Sequence, residues 1–368
     1  MLNESANSKA LNEEHGATRS PLHVVVLGTG NIGKQFLNVF EQNRHELLQQ
    51  KAKLVAVANS RYFQYHLEGF DEFDAAKSKF QRHDNSSGQI YQQLERLIGL
   101  NVVVIDLTAS ESVADQYLRF AQNGWHIISA NKTAAANHDY AAVIDAALNK
   151  KHLKWLKNTT VGAALPVQAA IKKIIESGDE IHQVSGVFSG SISWLLAHFN
   201  GEQGFMDWVK QAHKNALTEP DPRADLSGLD VHRKALILAR ECGFNPQQID
   251  FNPVLPPHWL SGSLENFWQQ ADNINQHMRT LWRNADKNKQ QLQYIATVNE
   301  HKITIALKAL PQQHVAVNLK PSDNIFIIES NHYNTNPMVI LGPGAGKAVT
   351  AAGVMSDLNE LLQHQLIL

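Results

Sequence analysis

Cysteine is all but missing from this chain: Cys242 is the only one in 368 residues. That excludes an intrachain disulfide framework and a zinc site built on several cysteines. Long apolar runs are missing as well, and no uncharged stretch reaches the roughly 18–20 residues that a membrane helix needs. Nor does charge of one sign dominate. With 33 basic and 35 acidic residues the formal net charge is −2, so the chain lacks the basic footprint of a nucleic-acid binder. Eighteen histidines are present, yet no two lie within four residues of each other. That spacing excludes an HExxH-type metal site and leaves them as surface and helper residues.

What is there is the composition of a folded chain. It is 43% hydrophobic and 18% charged, enough apolar mass for sizeable cores and too much for a largely disordered chain. At roughly 100–200 residues per domain the length points to two domains, or three. Residues 1–20 are polar and mixed in charge. They lack the apolar core of a secretory signal, are too acidic for a typical transit peptide, and read as a flexible tail. With one cysteine and no export signal, the expected compartment is the cytoplasm.

Leu22–Leu27 (LHVVVL) has the continuous apolarity of a buried parallel strand. Gly28-Thr29-Gly30-Asn31-Ile32-Gly33 follows at once, then a helical pattern from Ile32 to Gln50 and a second buried strand, Leu54–Ala58. Strand, glycine turn, helix, strand is the first unit of a dinucleotide-binding fold. The alternation continues through Val102–Leu107, Val113–Asn123, Trp125–Ser129, Tyr140–Asn149 and a weaker strand at Leu153–Leu156, which predicts a parallel sheet covered on both faces. After residue 158 the rhythm changes. Helices are expected at Leu165–Ser177, Ile192–Phe199, Phe205–Ala216 and Leu229–Cys242, a strand at Ile181–Phe188, and antiparallel strands over Gln293–Leu307 and Val315–Leu319. The polar, Trp-containing region Leu255–Asp286 gives no clear pattern. The glycine loop Gly342–Gly346 leads into an amphipathic helix, Val349–Leu362, which can pack back on the first domain and make it discontinuous. The fold class is α/β, a Rossmann-type nucleotide-binding domain plus an α+β domain.

Three clusters carry chemistry. In the first glycine turn, Gly28 permits the tight turn, Gly30 lets backbone approach a pyrophosphate, and Gly33 allows close helix–strand packing, with Asn31 and Ile32 at the helix N-terminus that favours the anion. The second strand ends in Asn59-Ser60-Arg61 rather than in an acid, so nothing repels a 2′-phosphate and Arg61 can pair with one, which favours NADP while leaving NAD open; the alternative is that Arg61 is a solvated surface arginine. The second cluster is the run Thr218–Lys234, with four carboxylates, two arginines and a lysine. Asp230 and Lys234 share one helical face, which suits a substrate with an amino group and a transferring proton. An ordinary surface ion pair, or Ser227 as N-cap with Asp230 as its capping-box partner, fits the same spacing. Lys132, just beyond the Trp125–Ser129 strand, lies where open α/β sheets bind ligands, or is a solvated loop lysine.

The segments VVVLGTGNIGKQFL, DLTAS, SANKTAAA, TTVGAALPV, FSGSISW, TEPDPRADLSGLDVHRKALILARE and GPGAGKAVTAAGV, in that order over about residues 22–360, resemble homoserine dehydrogenase. They are most similar to the dehydrogenase portion of the bifunctional aspartate kinase–homoserine dehydrogenases. The resemblance implies a nucleotide-binding domain over 21–157 and 342–368 and a catalytic and dimerisation domain over 158–341, with no kinase portion in this length. It implies reversible NAD(P)-dependent interconversion of L-homoserine and L-aspartate 4-semialdehyde, in threonine, methionine and isoleucine synthesis, by a homodimer. By position, Lys234 is the implied proton donor, with Lys132 contacting cofactor and substrate. Glu219, Asp230 and Asp225 become substrate-binding acids; Thr108, Ser110, Gly344 and Gly346 line the cofactor; and the carbonyls of Val161, Ala163 and Leu165 hold a sodium ion in some members. Asn158, Ala164, Ala216 and Ala224 depart from the family pattern, at an acid, two glycines and an aspartate. Those departures keep a second reading open: a divergent paralogue, either an oxidoreductase on a related amino alcohol or semialdehyde or a non-catalytic NADP-binding protein.

Overall fold

A computed structural model describes residues 20–71, 73, 81–82 and 87–365. Most of the expected tail, residues 1–19, lies outside the described residues. Thirteen strands form two sheets among the described residues. They are β1 Leu22–Leu27, β2 Ala52–Ala58, β3 Tyr62–Tyr65, β4 Gln81–Arg82, β5 Val102–Asp106, β6 His126–Ser129, β7 Trp155–Leu156, β8 Ile181–Val187, β9 Gln248–Phe251, β10 Gln290–Asn299, β11 Lys302–Pro311, β12 Asp323–Ser330 and β13 Met338–Pro343.

The first sheet has the order β4-β3-β2-β1-β5-β6-β7. Strands β2, β1, β5, β6 and β7 are mutually parallel, while at one edge β3 pairs antiparallel with β2 and β4 antiparallel with β3. Alternate side chains of the parallel strands go to opposite faces. Val24, Val26, Val103 and Ile105 face a cluster with Phe36, Leu37 and Phe40. Val25, Val55, Val102 and Val104 face the other cluster, which continues without a break into the second sheet. The helix Lys347–Gln365 brings Ala351, Val354, Met355, Leu358, Leu361 and Leu362 into the first of these clusters. Each large side chain buried in this way contributes roughly 1.5–3 kcal/mol. The C-terminal helix therefore packs on the nucleotide-type sheet, far along the chain from β1. Strand β13 runs to Pro343, so Gly342 and Pro343 belong to the second sheet and the return begins at Gly344.

The second sheet has the order β13-β12-β8-β10-β11-β9. Its neighbours are antiparallel except β9 and β11, which run parallel. Several expectations change here. Val315–Leu319 is not a strand. Asn318 and Ser322 take φ of 66° and 74°, left-handed values that break a ladder, and the strands of this region are β12 and β13. Leu255–Asp286 resolves into the helices Pro257–Leu260, Leu264–Gln269 and Ala271–Lys287, the last burying Ile274, Met278 and Ala285 on one face. In the first unit the helix expected over Ile32–Gln50 is two, Asn31–Gln42 and Arg44–Gln49. Asn43 separates them, its side chain donating to the Val39 carbonyl at 2.7 Å in competition with the backbone ladder.

Candidate functional site

The glycine turn after β1 is shaped by close approaches. Gly28 has φ 104°; a Cβ there would lie 2.9 Å from the Leu107 carbonyl and from Thr108 Cγ2. A Cβ on Gly33 would fall 2.0 Å from the Gly28 carbonyl oxygen, whereas Gly30 faces open space. The helix Asn31–Gln42 starts at Gly30 with no side-chain cap, so the first amides of Asn31, Ile32 and Gly33 point outward at its positive end. Asn59, at the end of β2, donates to Thr29 Oγ1 at 2.6 Å and accepts from the Arg61 and Tyr62 amides at 2.8 and 2.9 Å. An amide therefore ties the β2–β3 turn to the glycine turn, with Arg61 exposed beside it.

At the C-terminal end of β5 a buried carboxylate organises the next loop. Asp106 accepts from the Thr108 amide and hydroxyl, from Tyr117 and from Asn131, at 2.7–3.0 Å. Burial pushes its carboxyl up from the usual value, against those four hydrogen bonds. Asn131 also donates to the Ser110 carbonyl at 2.8 Å and accepts from the Thr133 amide. This network holds Thr108 and Ser110 in one loop and fixes the turn that carries Lys132. Asp106 and Asn131 were not singled out from sequence, and Asn59 was read there only as the absence of an acid. The available signal was an acid closing the apolar strand VVVID.

The second unit meets Lys132 from the helix Leu229–Glu241. Lys234 Nζ lies 2.9 Å from Asp230 Oδ2, and Lys132 Nζ lies 3.3 Å from Asp230 Oδ1. Lys234 also donates to the Phe188 carbonyl, just past β8, at 2.8 Å. Its side chain is 7% exposed against 49% for Asp230, so this is not the ordinary surface ion pair that spacing alone allowed. Desolvation in the recess works against ionisation of Asp230, but the Lys234 and Lys132 ammonium groups outweigh it and hold the carboxyl well below the usual carboxylate range. The capping-box alternative also falls away: the helix N-cap is Gly228, at φ 72°.

Asp225 accepts from Ser191 Oγ at 2.6 Å and from the Glu219 amide at 2.8 Å. It thereby fastens the loop of Glu219 to the turn after Phe188. Glu219 is exposed, and no ion pair joins it to Lys132 or Lys234 among the described residues. Two departures from the family pattern have structural readings. Ala216 adopts φ 53°, a conformation glycine takes without strain, and Ala164 is exposed, where a methyl costs little. Val161, Ala163 and Leu165 lie in one turn, where the Leu165 carbonyl already accepts the Val167 amide at 2.8 Å. Asn158 donates to Asp357 of the C-terminal helix at 2.7 Å. Gly344 and Gly346 differ in kind. A Cβ on Gly344 would collide with the Asn324 side chain at 2.0 Å, while Gly346, at φ 131°, faces open space.

Residues 28–157 match the family model of the homoserine dehydrogenase NAD-binding domain, and residues 166–358 match that of homoserine dehydrogenase. The chain is 40% identical over 352 residues to the bifunctional aspartokinase/homoserine dehydrogenase 2 of Escherichia coli, covering 92% of this chain and 43% of that protein. It spans less than half the length of that relative. It is 32% identical over 367 residues to homoserine dehydrogenase of Schizosaccharomyces pombe, covering 95% of this chain and 97% of that one. Among solved structures, a hyperthermophilic archaeal homoserine dehydrogenase in complex with NADPH superposes with a TM-score of 0.71 at 17% identity, covering 92% of this chain and 96% of that chain. Two family models that tile the chain and a relative matched over nearly its whole length lead to one conclusion: the chain belongs to the homoserine dehydrogenase family.

Proposed function

We propose that this chain catalyses the reversible NAD(P)-dependent interconversion of L-homoserine and L-aspartate 4-semialdehyde. The observation that carries the reading is the meeting of Lys132 and Lys234 on Asp230, where the ends of the first sheet's strands face the second unit. The residues fit a dinucleotide: Gly30 opens onto free space, Gly28 and Gly33 are pressed against backbone, and the following helix presents uncapped amides. The nicotinamide, when bound, supplies or accepts the hydride. Asn59 in place of an acid, with Arg61 exposed beside it, favours the 2′-phosphate of NADP over NAD.

The chain's own residues supply the proton and the charge. Of the three Lys234 N–H donors, one goes to Asp230 and one to Phe188, which leaves the third for the substrate oxygen. In the reductive direction that ammonium protonates the developing alkoxide, and in the oxidative direction the neutral amine takes the hydroxyl proton. Lys132 adds positive charge on the side of the glycine turn. Glu219 and Asp230, each with lone pairs to spare, bind the substrate ammonium, and Asp225 positions the Glu219 loop. A sodium ion in the turn of Val161, Ala163 and Leu165 would rest on neutral carbonyl oxygens, and no chemical step depends on it.

A discontinuous nucleotide-binding domain and a central catalytic and dimerisation domain belong to the same proposal. A homodimer is supported by β13, an edge strand whose outward residues Val339 and Leu341 are apolar and exposed, an arrangement that solvated edges avoid. No described helix is long and apolar enough to cross a membrane. The cytoplasm as compartment, and a place in threonine, methionine and isoleucine synthesis, follow from the proposed reaction and the single cysteine.

The test is direct. Purified protein is mixed with L-homoserine and NADP⁺, then NAD⁺, at mildly alkaline pH, and reduced-nicotinamide absorbance is followed. Turnover is expected, faster with NADP⁺. Cofactor binding without turnover would instead move the chain to a related amino alcohol or semialdehyde, or to a non-catalytic role.

A further inference from the structure

Asn324, the second residue of β12, is fully buried, and neither polar atom of its carboxamide has a hydrogen-bond partner among the described residues. Buried amides are nearly always satisfied, so a side chain left in this way marks a place where partners arrive. Its surroundings say which. The carboxamide lies against the Cα of Gly344, filling the volume that a side chain at 344 would need. The backbone of Asn324 pairs with Gly342 across β12 and β13. On its other side Ile325 is in register with Val187, which sets Asn324 beside Phe188, whose carbonyl holds Lys234. Two residues back, the Ser322 carbonyl abuts Gly190, at the start of the helix Gly190–His198. Asn324 thus stands between the second glycine loop and the strand end that orients the proposed proton donor.

We propose that Asn324 is a positioning residue for the reaction: when a dinucleotide is seated, the peptide groups of the Gly344–Gly346 loop turn onto its carboxamide and lock the loop against the cofactor. An asparagine side chain offers one acceptor oxygen and two donor hydrogens, the complement of a peptide N–H and C=O. The loop can make the turn because Gly342 and Gly346 hold φ values of 156° and 131°, and among the described residues no atom other than those of its two chain neighbours approaches the Gly346 Cβ position within 4 Å. The unpaired state is costly, the paired state is not, and the difference favours the cofactor-bound arrangement. Binding at one glycine loop would then be felt at Phe188 and Lys234 through two adjacent strands. This inference rests on the reading of the Gly342–Gly346 loop as a cofactor contact.

The experiment compares wild type with Asn324→Leu, which keeps the branched shape and the number of heavy atoms and removes the polar atoms. Thermal melting is measured without ligand, and NADPH affinity by titrating the nicotinamide fluorescence. The expected result is an unchanged or raised melting temperature together with about tenfold weaker NADPH binding. Asn324→Ala is expected to weaken binding as well. A melting temperature lowered in both variants overturns the proposal, because the side chain would then be satisfied in the free protein, and so does an unchanged NADPH affinity, because the bound loop would then make no use of the carboxamide. Gly346→Ala reads the loop separately. If it leaves NADPH affinity untouched, the loop does not meet the cofactor and the proposal falls with that reading. If it weakens binding while Asn324→Leu does not, only the role of Asn324 is refuted.

Discussion

Asp230 and Lys234 sit one helical turn apart with Oδ2 and Nζ at 2.9 Å, and the lysine is the buried member of the pair. An exposed i,i+4 pair stabilises a helix by about 0.3–0.5 kcal/mol. Here the carboxylate instead pairs with two ammonium groups, one from the helix Leu229–Glu241 and one from the turn after β6, and losing one partner of such a cluster strands the other charge. Asp230→Asn is expected to lower kcat/KM by about 10²–10⁴-fold. Steady-state kinetics with L-homoserine check it, and a variant within threefold of wild type would remove Asp230 from the site.

Lys234→Ala is expected to abolish turnover while cofactor binding stays largely intact, because its contacts are to Asp230 and Phe188 and not to the glycine turn. Calorimetric titration with NADPH, run beside the absorbance assay, separates the two effects. Normal turnover in this variant would sink its assignment as proton donor.

Asp357 gives a pH dependence of unusual sign. Burial in the C-terminal helix is the largest influence and pushes its carboxyl up to about 7, despite the hydrogen bond from Asn158. Its folded value exceeds its unfolded one, so its contribution to stability is fully present below the unfolded pKa and is lost as pH rises toward 7. Asp357→Asn keeps the bond from Asn158 and removes the ionisable group. It is expected to raise the melting temperature at pH 8 and to leave it nearly unchanged at pH 4. Melting curves at both values decide, and an equal shift at the two would contradict the account.

Ala216 pays for its left-handed backbone, at φ 53°, by about 1 kcal/mol relative to glycine. Ala216→Gly is expected to gain roughly that amount in urea unfolding. A loss of stability would show that the turn is not strained.

The edge strand β13 leaves Val339 and Leu341 exposed at 44% and 53%. Replacing both with aspartate is expected to convert a dimer to a monomer in light scattering. A wild-type monomer at micromolar concentration, or a double variant that remains dimeric, would exclude β13 as the interface.

The parts of this protein that are readable from residue order are those whose partners are close in the chain. The turn Gly28–Gly33 follows its strand directly, and Asp230 and Lys234 meet because a helix repeats every 3.6 residues. The parallel strands of the first sheet announce themselves by apolar runs because both of their faces are buried. Lys132 was legible as a strand-end lysine, but its meeting with Asp230 depends on how two sheets share one core. The same holds for the Phe188 carbonyl on Lys234, the amide of Asn131 on Asp106, and the pressing of Asn324 on Gly344. Strands β12 and β13 went unread, and Val315–Leu319 imitated a strand, because alternation over a few residues carries no information about backbone φ at Asn318 or about the register of a distant partner. Residue order names the groups with chemistry in them; long-range packing settles which of those groups share a carboxylate, and which are left buried without a partner.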